Sequence, residues 1–138
     1  MPKFIPSNIP EELKSDSFML WRYEERDGRM TKPPLNPHTG FRGDVTDPIQ
    51  WGDYETALSA HQSGRYRSNG ISVVVHPDSG LVGFDLDHCI VDGKFSEEAQ
   101  EIVDGVCSYS EISPSGEGVR IFNLLRNIMN WLVLRVPE

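Results

Sequence analysis

The chain has 138 residues, enough for one domain with a real core and too few for two ordinary ones. Its formal net charge is -8 and its pI about 4.9, the wrong sign for a protein that grips phosphate backbones by charge alone. Any nucleic-acid binding is therefore expected to be local and metal-assisted, and the two cysteines, Cys89 and Cys107, with a start that lacks a secretory layout, point to a reducing, cytoplasmic setting without a disulfide.

In chain order, Pro6 and Pro10 followed by Glu11 and Glu12 predict a short helix ending near Lys14 and packing through Ile9 and Leu13. Residues 18–23 are apolar or aromatic, Asp27-Gly28 is a tight-turn signal, and residues 29–32 lead back before Pro33-Pro34 ends the pairing, which predicts a β-hairpin. Residues 36–46 carry loop chemistry. Thr46-Asp47-Pro48 opens a helical turn, and a helix is predicted over 53–62, with Trp51, Tyr54, Leu58 and His61 on one face and Gly64 as its stop. Residues 70–76 read as a strand, and Pro77-Asp78-Ser79-Gly80 as a turn into a second strand from Leu81, the two forming a hairpin. Ser96 caps a helix that buries Ala99, Ile102, Val103 and Val106. A strand over 109–113, a glycine-bearing loop over 114–118 and a strand over 119–122 follow. Residues 123–138 are apolar on several sides but interrupted by Arg126 and Arg135, so they predict a helix packed on the sheet rather than a membrane span, which needs about 20 apolar residues.

The chemistry centres on Asp85 and Asp87, two carboxylates at the end of an apolar strand. Residues i and i+2 of a strand share a face, with Cα atoms roughly 7 Å apart. Two carboxylates about 4 Å apart repel by roughly 4 kcal/mol at an effective dielectric of 20 unless a cation lies between them. Hard ions such as Mg²⁺ take such oxygen ligands, with substrate phosphates completing the shell; the plainer reading is a solvated strand end. The loop of Ser113, Ser115, Gly116 and Gly118 could hold phosphate through backbone N–H groups or be an ordinary turn. Arg120 could fork onto a phosphate or face solvent. Phe84-Asp85-Leu86-Asp87 also resembles the first motif of haloacid-dehalogenase-type phosphatases, but Cys89 stands where those enzymes have Thr or Ser. A zinc site is disfavoured, because His76, His88, Cys89 and Cys107 lack paired spacing.

Several ordered blocks carry a broader resemblance: Leu20-Trp21-Arg22-Tyr23-Glu24, residues 31–40, Thr46-Asp47-Pro48 with Trp51, residues 81–88 and residues 111–122. Together they resemble the archaeo-eukaryotic primase superfamily, specifically the primase-polymerase domains at the amino end of phage and plasmid replication proteins. The resemblance implies an α+β fold, with an amino-terminal hairpin and helix unit packed on a mostly antiparallel sheet like that of RNA-recognition motifs. The catalytic domain would cover 1–122, with 123–138 as a tail. It implies that Asp85 and Asp87, on a central strand, are catalytic ligands of Mg²⁺ or Mn²⁺ for two-metal nucleotidyl transfer. Ser113, Ser115, Gly116, Gly118 and Arg120, with Lys32, would bind the nucleoside triphosphate. Single-stranded DNA template would make weak, local contacts, and a helicase domain or protein would be a further partner. Two departures qualify these roles. Arg120 stands where the superfamily pattern has histidine, keeping the charge but not a proton relay near neutral pH. The third-motif carboxylate is not found, since after Glu117 the only acid is Glu138; Glu111 is a possible replacement, and a fold incomplete at its carboxyl end is expected. The alternative is a non-catalytic nucleotide-binding or interaction module derived from such a domain.

Overall fold

The computed structural model describes residues 4–124. It is an α+β structure with strands β1 (Phe18–Trp21), β2 (Glu24–Arg26), β3 (Arg29–Thr31), β4 (Pro34–Leu35), β5 (Gly70–Val73), β6 (Leu81–Leu86), β7 (Ile90–Val91), β8 (Lys94–Phe95), β9 (Ser110–Ile112) and β10 (Val119–Leu124). The helices are α1 (Glu11–Lys14), α2 (Tyr54–Gln62) and α3 (Glu97–Val106). Every strand pairing is antiparallel. Two compact units divide the described residues at Val74.

In residues 4–74, β1 is the middle strand of a sheet ordered β4-β1-β5. Phe18, Met19 and Leu20 are all buried, so β1 is covered on both faces and needs a neighbour along each edge. Phe18 and Leu20 pack with Leu35 and with Tyr54 and Ala57 of α2, the Phe18 and Tyr54 rings meeting edge to face at 5.5 Å. Met19, on the other face, is met by the loop at Gly43, where a Cβ would sit 2.5 Å from the methionine Cε. α2 begins where predicted, the Asp53 carboxylate accepting the Thr56 N–H at 2.7 Å.

The predicted hairpin is found at Asp27-Gly28, whose positive φ angles of 52° and 74° fit a two-residue hairpin turn. Its first arm, however, is the polar β2 rather than residues 18–23. The apolar β1 is drawn instead to two partners that bury it, while Glu25 and Arg26 of β2 stay exposed. A second correction concerns the hairpin predicted across residues 77–80. The turn exists, with Ser79 and His76 hydrogen-bonded about a short 3₁₀ segment, but it joins strands of different sheets. β5 lies wholly along β1, and the Val74 N–H continues that line to the Ser17 carbonyl.

In residues 75–124, the sheet order is β6-β10-β9. Val119 and Ile121 of β10 are fully buried and pack with Ala99 and Val106 of α3, joined by Val82, Phe84 and Leu86 of β6. Ser96 caps α3 as predicted, its Oγ accepting the Ala99 N–H at 3.2 Å. β7 and β8 form a small hairpin through Asp92-Gly93, a turn signal the sequence reading passed over. The central strand is β10, not the carboxylate-bearing β6, which is an edge strand among the described residues. The stronger buried alternation, Val119 and Ile121, belongs to β10, and that strand continues to Leu124. The helix predicted over 123–138 otherwise falls outside the described residues. Among the described residues no helix is long and apolar enough to cross a membrane.

Candidate active site

From Val82 onward β6 alternates. Val82, Phe84 and Leu86 turn into the core, while Gly83, Asp85 and the following Asp87 are exposed. Asp85 lies on the solvent face of β6, and Asp87 is exposed one residue past the strand's end at Leu86. Arg120 of β10 is in register with Asp85, and its Nε lies 3.9 Å from Asp85 Oδ1. The pair is long and partly exposed, Asp85 keeping 59% of its side chain accessible, so it adds little stability. Its consequence is electrostatic: a guanidinium stands beside the Asp85 carboxylate and offsets part of its charge.

On the other side of β10, Glu111 of β9 is in register with Arg120. Asp85, Arg120 and Glu111 thus form one row across the sheet, with the acids two strands apart, roughly 10 Å at the Cα atoms. Glu111 accepts the Tyr109 hydroxyl at 2.8 Å. Burial, with the Glu111 carboxylate beside it, pushes that hydroxyl well above the usual tyrosine range, so it remains a donor. Glu111 is thereby turned to Tyr109 and separated from Asp85 by Arg120. Among the described residues no three His, Cys, Asp or Glu side chains come together to hold a metal. Two exposed, oxygen-only donors two residues apart at the end of β6 nevertheless suit in kind a hard divalent ion such as Mg²⁺, which keeps several waters and takes one or two carboxylates.

The loop between β9 and β10 is brought against the end of β6. The Glu117 carbonyl accepts the Cys89 and Ile90 N–H groups at 2.9 and 3.0 Å. Gly118 is buried, and a Cβ there would lie 2.6 Å from the Leu86 carbonyl oxygen and 3.5 Å from Asp87 Cα, so only glycine allows this approach. Within the loop, buried Ser113 accepts the Gly118 N–H through Oγ at 3.1 Å, Ser115 Oγ accepts the Glu117 N–H at 3.2 Å, and the Ser113 carbonyl accepts the Gly116 N–H at 2.8 Å. These three N–H groups are committed to the loop itself. What they build is a support for Asp87 and Arg120. His88, in the left-handed region at φ 52°, reaches the same loop with Nδ1 3.5 Å from a Glu117 oxygen.

The structure brings together Asp85, Asp87 and the segment from Ser113 to Arg120. Lys32 belongs to residues 4–74, where it lines a cavity of about 500 Å³ with Arg26 and Arg42. A feature the sequence reading missed is the aromatic pair beside the charged row: Tyr109 and Phe122 are nearly parallel, with centroids 6.4 Å apart and planes at 23°. Their signal was the alternation itself, since each stands two residues from Glu111 or Arg120.

No family model matches the chain. The chain is 38% identical over 108 residues to the DNA primase-polymerase of Nitratiruptor phage NrS-1, a similarity that covers 75% of this chain and 14% of that relative. Along three quarters of its length the chain is thus similar to a segment of a phage DNA primase-polymerase, and it spans 14% of that relative's length.

Proposed function

We propose that the chain carries the first two motifs of a nucleotidyltransferase site that uses a divalent metal and a nucleoside triphosphate in DNA synthesis. The observation that supports the reading is the exposed Asp85 in register with Arg120, with Asp87 exposed just past the end of the same strand. In this reading Asp85 and Asp87 hold Mg²⁺ or Mn²⁺. The ion, when bound, supplies charge neutralisation for the phosphates and orients them. Arg120 leaves its long contact with Asp85 to fork onto a phosphate, which a guanidinium does with two parallel hydrogen bonds. Ser113 and Gly118 keep the loop closed beneath Asp87, and Ser115, exposed at the loop's edge, offers a hydroxyl to the same phosphates. Arg26 and Lys32, with Arg42 beside them in its 3.5 Å ion pair to Glu24, offer a local basic contact to the backbone of single-stranded DNA, compatible with the acidic whole.

Template-dependent dinucleotide synthesis tests the enzyme reading. Asp85→Ala and Asp87→Ala are each expected to abolish product, and turnover unchanged in both would overturn it. The second reading is a nucleotide-binding module without turnover. Two observations favour it: Arg120 cannot relay a proton near neutral pH, and Glu111 is turned to Tyr109 instead of Asp85. It predicts Mg²⁺-dependent triphosphate affinity with no product.

A further inference from the structure

Beside the charged row runs a second row on the same face of the sheet. Gly83 of β6 is in register with Phe122 of β10, and the Phe122 N–H donates to the Tyr109 carbonyl at 3.0 Å, which places Tyr109 on the far side. Side chains two residues apart on β10 share a face, so Phe122 stands next to Arg120 at a spacing of roughly 7 Å. Gly83 has no side chain, and the Phe122 ring lies over it, with Cε1 3.4 Å from where a Cβ would be. The tyrosine ring is fixed from below by its hydroxyl bond to Glu111. The result is two nearly parallel rings, neither fully buried, in the row next to Asp85, Arg120 and Glu111.

Resting on the nucleotide reading above, we propose that Phe122 and Tyr109 form the platform on which the base of the bound nucleoside triphosphate stacks, its phosphates lying over Arg120, Asp85 and Asp87. The occupant is a nucleotide rather than a length of DNA because the adjoining row carries two acids, Asp85 and Glu111, flanking Arg120, with a third acid, Asp87, just past the end of β6. A divalent ion held by Asp85 and Asp87 would offset their charge for a triphosphate, whereas without it the acids repel a bare phosphate backbone. Every base has a π-face, and no side chain on this row presents a hydrogen-bonding edge except the committed Tyr109 hydroxyl. The platform therefore accepts all four bases.

The test is calorimetry on the full chain in Mg²⁺ with two probes, dATP and inorganic tripolyphosphate. The proposal expects dATP to bind at least about ten-fold tighter than tripolyphosphate, and Phe122→Leu or Tyr109→Leu to lose about ten-fold of dATP affinity while tripolyphosphate is unaffected. Phe122→Trp, which keeps a π-face, retains dATP binding, and dGTP, dCTP and dTTP bind within several-fold of dATP. Equal affinities for the two probes, with no effect of either leucine variant, would overturn the platform and leave the metal-phosphate reading standing. Loss of both probes in a leucine variant that still unfolds cooperatively would assign the rings a structural role and overturn the platform too. Failure of the wild-type chain to bind either probe would overturn both readings.

Discussion

Gly118→Ala is the perturbation whose outcome the structure constrains most tightly. The backbone φ of Gly118 lies outside the left-handed region, so alanine meets no intrinsic strain there and any effect is one of space. The added Cβ would sit 2.6 Å from the Leu86 carbonyl oxygen, about 0.8 Å inside ordinary contact, and 3.1 Å from Ser113 Oγ. Neither neighbour is the end of a flexible side chain. Leu86 belongs to the ladder with β10, and Ser113 Oγ is held by the Gly118 N–H itself. Relief requires the loop to lift away from β6, at a cost of about 1–3 kcal/mol, typical of overpacking a well-filled site. With a urea m-value near 2 kcal/mol per molar, the midpoint should fall by roughly 0.5–1.5 M, read by far-ultraviolet circular dichroism. Gly83→Ala is the matched control. Its Cβ meets Phe122 at 3.4 Å, ordinary contact, so it should be neutral or slightly stabilising. A Gly118→Ala midpoint within 0.2 M of wild type would refute the close packing of the loop on the end of β6, and with it the account of how Asp87 is supported.

Ser113→Ala leaves the buried Gly118 N–H without its acceptor and should cost about 1–3 kcal/mol by urea titration. Ser96→Ala removes the cap of α3 and should cost about 1 kcal/mol, measurable in the same assay; no change would mean that the Ala99 N–H finds another acceptor. His61, half-buried with Nδ1 2.8 Å from Ser68 Oγ, has its pKa lowered by burial, so the unfolded chain binds this proton more readily. Its contribution is fully present above the ordinary histidine pKa and is lost as pH falls below about 6.5. The urea midpoint should drop between pH 7.5 and 5.5, and His61→Gln should flatten that part of the profile.

What could be read from the sequence was what local chemistry decides. Ser96 reads as a cap because a short oxygen-bearing side chain precedes a helical pattern, and it acts as such, while Asp53, expected as the first residue of its helix, is the cap of α2. Along β6, period two sets Val82, Phe84 and Leu86 on the core side and Gly83 and Asp85 on the exposed side. Strand partnership was harder to read. Phe18, Met19 and Leu20 show that β1 is apolar on both faces, but nothing local says that its neighbours are β4 and β5. The turn at 77–80 is genuine, yet a turn fixes only a change of direction and not the strand that is met next. The same limit hid the site's second row. Tyr109 and Phe122 are thirteen residues apart, and only the β9–β10 register, set by the length of the loop over Gly118, makes them neighbours.

The central claim is that Asp85 and Asp87 act as a metal-dependent phosphate site, and its most direct measurement is calorimetric titration of a deoxynucleoside triphosphate with and without Mg²⁺. Asp85→Asn and Asp87→Asn keep the shape of each side chain and remove its charge. The account predicts Mg²⁺-dependent binding by the wild-type chain, a loss of at least ten-fold in each variant with Mg²⁺, and no weakening by either substitution in its absence. Affinity that is indifferent to Mg²⁺, or that survives both substitutions with the ion present, would contradict it.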